Sequence, residues 1–182
     1  QKLIPHILVS GLSGYAFTCP DMIGGGEISS FLGSIGNLDQ ELIVRSTQCH
    51  ALMPMMQFSA APWRVLDSIH LAAVKKAVEQ RMDFVPEIMR LAGESLETGE
   101  PIVRHLEYVF PGCGFSDIKD QFMLGDSIMI APMLEKGTTR TVRLPELKKG
   151  KWKADNGIIY RSGRTIEIEV PLDRLPYFII VK

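Results

Sequence analysis

Asp21 is the side chain in this 182-residue sequence whose type and placement could do chemistry most directly. It is the one acid between residues 3 and 26, it follows a charge-free apolar stretch, and it precedes the run Gly24-Gly25-Gly26. A carboxylate at the C-terminal end of a buried strand can accept hydrogen bonds from substrate hydroxyls or orient a catalytic group. In parallel α/β sheets and barrels those strand ends build the active site. The competing reading is an aspartate that caps its own loop by bonding to the backbone amides of the glycine run.

A second cluster follows at Phe58-Ser59 and Trp63-Arg64. An aromatic ring that stacks on a sugar face, beside serine and arginine donors, suits a carbohydrate pocket, so Ser59 and Trp63 join Asp21 as candidate substrate-binding residues. The alternative is a packed tryptophan with a solvated arginine. Ser59 has no G-x-S-x-G elbow to make it a nucleophile. The glycine run has neither the G-x-x-x-x-G-K nor the G-x-G-x-x-G register of a phosphate cradle, and it reads as a loop passing close to other backbone. His6, His50, His70 and His105 are scattered, and each reads as a surface or a satisfied core histidine. Cys19, Cys49 and Cys113 show no metal-ligand spacing and no C-x-x-C. Neither a metal nor a cofactor is expected.

Composition narrows the classes further. Twenty Lys and Arg against 21 Asp and Glu leave a net charge of −1, without the basic excess of a nucleic-acid binder. No apolar run reaches the ~18 residues of a membrane span. Residues 1–60 carry six charges (Lys2, Asp21, Glu27, Asp39, Glu41 and Arg45), too few to solvate an ordinary surface. That segment is therefore expected to be buried against more protein than the sequence supplies, either a missing upstream part or a second copy in a homo-oligomer. The chain is expected to be a fragment. Its compartment is left open.

The elements that would position these residues are legible in part. Leu3–Leu12 reads as helix, and Gly14–Cys19 and Met55–Phe58 as buried strands of a parallel sheet. A Gly/Ser-rich loop over 24–38 leads to a helix from Asp39, with Leu42, Ile43, Thr47 and Ala51 at helical spacing. A long helix from Ser68 to Glu97, capped by Asp67, has the apolar stripe Val74, Val78, Met82, Val85, Met89, Ala92 and Leu96, with Pro86 expected to kink or divide it. After Gly99 the pattern changes. Ile102–Val109 and Ser127–Leu134 read as strands, and Val142, Leu144, Ile166, Ile168 and Val170 alternate with polar residues in the manner of an antiparallel sheet. Asp155-Asn156-Gly157 reads as a hairpin turn, Tyr177–Val181 as a last strand, and the basic run Arg140–Lys153 as a solvated hairpin face. The fold class is α/β plus all-β.

Several motifs resemble glycoside hydrolase family 31. Pro20-Asp21-Met22-Ile23-Gly24-Gly25 after Gly14-Tyr15-Ala16-Phe17 is similar to its seventh-strand motif. Glu41-Leu42-Ile43-Val44-Arg45 with Gln48, and Met53-Pro54-Met55-Met56-Gln57-Phe58-Ser59-Ala60-Ala61-Pro62-Trp63, follow in order. So do Gly99-Glu100-Pro101-Ile102-Val103-Arg104, Asp120-Gln121-Phe122-Met123-Leu124-Gly125-Asp126, Ala131-Pro132 and Pro171-Leu172-Asp173-Arg174-Leu175-Pro176-Tyr177-Phe178. The resemblance implies the last strands and helices of a (β/α)8 barrel over 1–100 and a proximal β-sandwich over 101–182. It implies a retaining α-glycosidase acting on α-linked oligosaccharides or glycosides through two carboxylates. In the family these lie at the fourth and sixth barrel strands, before residue 1, so no catalytic residue is expected within the chain and the chain alone is expected to be inactive. The missing N-terminal part of the barrel is then a partner. Gln57 and Ser59 stand where the family commonly has Arg-x-His, and Ser46 where it has Trp; both depart from glucose-type recognition, and the first fits an α-galactosidase-like branch better. The competing class is a non-catalytic carbohydrate-binding or interaction module.

Overall fold

The computed structural model describes residues 2–25 and 38–182; most of the loop expected over 24–38 lies outside the described residues. Among the described residues four helices come first: α1 (Leu3–Leu12), α2 (Gln40–Ala51), the short α3 (Pro62–Val65) and α4 (Ser68–Thr98). Local chemistry sets their ends. Asp39 accepts from the Leu42 amide at 3.1 Å, and Asp67 accepts from the Ile69 and His70 amides at 3.0 and 2.9 Å. Gly99 stops α4 in the left-handed conformation. Among the described residues no helix is long and apolar enough to cross a membrane.

α4 departs from its expected form twice. It runs unbroken through Pro86, because the bond Pro86 forgoes, to the Met82 carbonyl, lies on the solvent-facing side of the helix. Its buried line is Ala73, Val74, Ala77, Phe84, Ile88, Leu91 and Ser95, about one residue out of phase with the expected stripe. Met82, Met89 and Leu96 are 64, 65 and 77% exposed. Both stripes are apolar. Arg81, which sits near the inner line, disguises the true one by donating to the carbonyls of Ala51, Met53 and Pro54 just past the end of α2. In α2, likewise, Leu42 faces outward while Ile43, Thr47 and Ala51 are buried.

The remainder is antiparallel. Strands β1 (Val103–Arg104), β2 (Phe122–Leu124), β3 (Ile128–Ile130), β5 (Lys151–Ala154), β6 (Ile159–Tyr160) and β8 (Tyr177–Val181) form one sheet in the order β1-β2-β3-β8-β5-β6. β4 (Thr139–Arg143) and β7 (Thr165–Glu169) form a second, two-stranded sheet, with Val142 opposite Ile166. The strand expected over Ile102–Val109 is cut to β1, because His105 then caps the short helix α5 (Leu106–Val109) by accepting from the Glu107 amide at 3.0 Å. The strand expected over Ser127–Leu134 shortens to β3. The Asp155-Asn156-Gly157 turn joins β5 to β6, with Gly157 at φ 83°. Arg140, read as part of a solvated face, turns inward and pairs with Asp120 at 2.7 Å.

Two cores result. Met123, Met129, Trp152 and Phe178 of the large sheet meet Val142 and Ile168 of the small one. On the other face of the large sheet, Phe122, Leu124, Ile128 and Ile130 pack with Ile4, Ile7, Leu8, Phe84, Ile88 and Leu91 of α1 and α4. β2 and β3 are thus buried on both faces, which is why their residues do not alternate in polarity. One core therefore crosses residue 100, and residues 101–182 enclose only one of the two faces of their sheet. Gly11 lets α1 lie against the sheet, since a Cβ there would stand 3.1 Å from Pro101 and 3.3 Å from the Val103 carbonyl.

The two expected barrel strands are the main correction. Gly14–Cys19 is irregular, with Tyr15 and Phe17 70 and 49% exposed, and Met55–Phe58 is reduced to one bridging residue. A strand exists only where a neighbour supplies hydrogen bonds, and the described residues supply one such contact.

Candidate functional site

That contact builds the site. Ile23 donates to the Gln57 carbonyl at 2.9 Å, and Ser59 donates back to the Ile23 carbonyl at 3.0 Å, making a parallel bridge between Ile23 and Phe58. α2 lies between the two bridged segments in sequence. The unit is an extended segment, a helix and a parallel extended segment, which brings the Asp21 turn beside the Ser59 turn.

Asp21 is exposed, and its Oδ1 accepts from the amide of Met22 at 2.8 Å. It does cap its own loop, and among the described residues it does so through the Met22 amide. Its other carboxylate oxygen meets no donor among the described residues. The turn closes as Gly25 donates to the Met22 carbonyl at 2.8 Å. Gly25 has no room for a side chain, because a Cβ would stand 2.7 Å from that same carbonyl oxygen.

Beneath the turn lies His50 on α2, 1% exposed. Its Nδ1 is 2.7 Å from the Ser46 carbonyl and its Nε2 2.6 Å from the Asp21 carbonyl. Asp21, Met22, Asp39, Leu42, Ser46 and His50 line a cavity of about 410 Å³. Among the described residues Asp39 is the other acid on its wall. The Lys136 ammonium, 2.8 Å away, and the Leu42 amide hold its carboxyl below the usual range, so it is engaged as a structural anion. Cys49, next to His50, is buried, and burial pushes its thiol up to about 12, which keeps it protonated and inert at neutral pH.

Ser59 and Trp63 do not line this cavity. The Ser59 hydroxyl donates to the Ile23 carbonyl at 3.1 Å and staples the bridge. Trp63 projects from the start of α3, 70% exposed. The structure therefore brings Asp21 next to Ser59 through backbone, leaves Trp63 on the surface, and adds His50 and Ser46, which the sequence reading had not put in the site. The available signal was their i, i+4 spacing on the helix that follows the Asp21 turn. The reading of His50 as a satisfied core histidine agrees with its burial and its two contacts. Chemically, one exposed carboxylate on a fixed turn can accept hydrogen bonds from the hydroxyls of a polar ligand.

Residues 99–180 match the glycosyl hydrolase family 31 C-terminal domain. The whole length is similar to the myogenesis-regulating glycosidase of Mus musculus, 36% identical over 98% of this chain and 25% of that protein. It is similar also to alpha-glucosidase 2 of Bacillus thermoamyloliquefaciens, 29% identical over 98% of this chain and 22% of that one. Among solved structures, a family 31 alpha-xylosidase from a soil metagenome, complexed with xylose, superposes with a TM-score of 0.79 at 26% identity, over 95% of this chain and 29% of that one. The chain thus spans about a quarter of the length of the curated relatives it matches. Matched in its C-terminal domain, in sequence along its whole length and in fold, the chain belongs to glycoside hydrolase family 31.

Proposed function

We propose that this chain is the C-terminal part of a retaining α-glycosidase, with residues 1–100 completing a (β/α)8 barrel and residues 101–182 forming its proximal β-sandwich. The observation that carries the reading is the parallel bridge between Ile23 and Phe58 across α2, with Asp21 at its rim. An extended segment, a helix and a parallel extended segment are in keeping with one repeat of such a barrel, and the carboxylate stands at the end where barrels place their active-site groups. The exposed apolar side chains Val9, Tyr15, Phe17 and Leu42 are the surface that the rest of the barrel covers. In the complete protein the sugar site extends from the Asp21 turn to the surface bordered by Ser59 and Trp63, beyond the cavity over His50, and the substrate is an α-linked oligosaccharide or glycoside. Gln57 and Ser59 at the second bridged segment favour an α-galactoside.

Retaining hydrolysis needs a nucleophile and an acid/base about 5 Å apart. Among the described residues the acid that shares the cavity wall with Asp21 is Asp39, which is held by Lys136 and the Leu42 amide. The complete protein is expected to turn over an aryl α-galactoside or α-glucoside, while the isolated chain does not. Asp21→Asn in the complete protein should lower kcat/KM at least ~10-fold, as expected when a hydrogen bond near a charged transition state weakens by about 1.4 kcal/mol. Unchanged kinetics in a folded Asp21→Asn protein would leave Asp21 as a loop cap only.

A further inference from the structure

The buried imidazole of His50 reaches from α2 to the backbone of the Asp21 turn, and its two contacts are unequal in what they accomplish. A carbonyl oxygen only accepts, so each contact calls for a ring N–H. The Ser46 carbonyl lies inside α2, where the helical ladder already provides a donor four residues on. The Asp21 carbonyl has no other backbone donor among the described residues and depends on Nε2. Satisfying that acceptor therefore requires a proton on Nε2. His105 likewise turns its Nε2 to a carbonyl, that of Ile118 at 3.1 Å, but its Nδ1 accepts from the Glu107 amide, whereas Nδ1 of His50 faces a second carbonyl.

From this we propose that His50 is a positioning residue for Asp21: its Nε2–H anchors the Asp21 carbonyl to α2 and thereby sets where the Asp21 carboxylate stands on the cavity wall. The turn has few other restraints. Asp21 is followed at once by its own side-chain cap on Met22, the Ile23 bridge and the Gly25 closure, all of which lie on its C-terminal side. On the N-terminal side Gly14–Cys19 is irregular and held by packing of Ala16 and burial of Pro20, so among the described residues His50 supplies the hydrogen bond that joins Asp21 to a helix. The spacing is specific: a glutamine at position 50 reaches as far as Nε2 and can donate, whereas an asparagine reaches only as far as Nδ1, toward Ser46.

The kinetic part of the test rests on the proposed glycosidase function; the spectroscopic part does not. In the complete protein with 15N-labelled histidine, the His50 ring should show a protonated Nε2. Amide exchange at Met22 and Ile23 should rise at least tenfold in His50→Asn and stay within threefold of the parent in His50→Gln, with the α2 amides unchanged in both. A His50 ring unprotonated at Nε2, or equal exchange in the two variants, would overturn the proposal. On an aryl α-glycoside, His50→Asn should lower kcat/KM at least tenfold with the same division between kcat and KM as Asp21→Asn. The His50→Asn, Asp21→Asn double variant should lose no more than the worse single variant, because both changes remove the same placement of one carboxylate. Additive losses would overturn the coupling. A parent protein without turnover would sink the glycosidase reading, while the nitrogen spectrum and the exchange rates would still decide the role of His50.

Discussion

Replacing Trp152 by alanine should lower the unfolding free energy by about 3–5 kcal/mol, the range for deleting a large aromatic side chain from a packed core. Trp152 is fully buried on β5. It fills the space between the two sheets, among Met123, Phe178, Val142 and Ile168, with its ring edge toward Phe110 at a centroid distance of 6.3 Å. Its indole Nε1 donates to the Pro145 carbonyl at 2.9 Å. Few neighbours can collapse into the gap, because the small sheet is held by its own pairing of β4 with β7. Trp152→Phe should be much milder: it keeps most of the apolar volume, and the Pro145 carbonyl retains the Gly163 amide as a donor at 3.2 Å. Urea titration followed by far-UV circular dichroism measures both. A loss under about 1 kcal/mol for the alanine variant would show that the inter-sheet core repacks freely.

Arg45→Ala should cost about 3 kcal/mol for a different reason. Arg45 on α2 is 6% exposed, and its guanidinium donates to the carbonyls of Pro171, Gly137 and Val170, each at 3.2 Å, and to Gln48 Oε1 at 3.1 Å. Beside it Gln48 donates to the Leu172 carbonyl at 2.7 Å. One side chain thus supplies donors for the loops that precede β4 and follow β7, and its loss strands carbonyls at about 1–3 kcal/mol each where water cannot reach them. Arg45→Lys keeps the charge but not the planar fork, and should recover less than half of the loss. Thermal melting would register the alanine variant as a fall of roughly 10 °C. A change within about 1 °C would show that water replaces the guanidinium at these carbonyls.

The residue types of Asp39, Asp67, Asn156 and Gly157 determined two helix starts and a hairpin, because a cap or a tight turn depends on atoms only a few residues apart. The period-2 alternation of Val142 and Ile166–Val170 determined β4 and β7 for a related reason, since each strand has one wet and one packed face. The Asp21 turn was legible from a lone acid between an apolar stretch and a glycine run. Ser59 and Trp63 were legible only as residue types, and neither one's direction was. The inner face of α4 could not be read, because two apolar stripes a residue apart fit equally well until α1 and the large sheet choose between them. β2 escaped notice because burial on both faces removes the alternation that marks a strand. The expected strands at Gly14–Cys19 and Met55–Phe58 had the right composition, but a strand is a property of two segments, and among the described residues only Ile23 and Phe58 meet. The role of His50 was hidden by distance: its Ser46 contact is local, whereas the carbonyl it anchors is 29 residues away in sequence. What sequence alone determined was set by neighbours along the chain; what tertiary structure decided was which of several equally apolar or polar groups came to face each other.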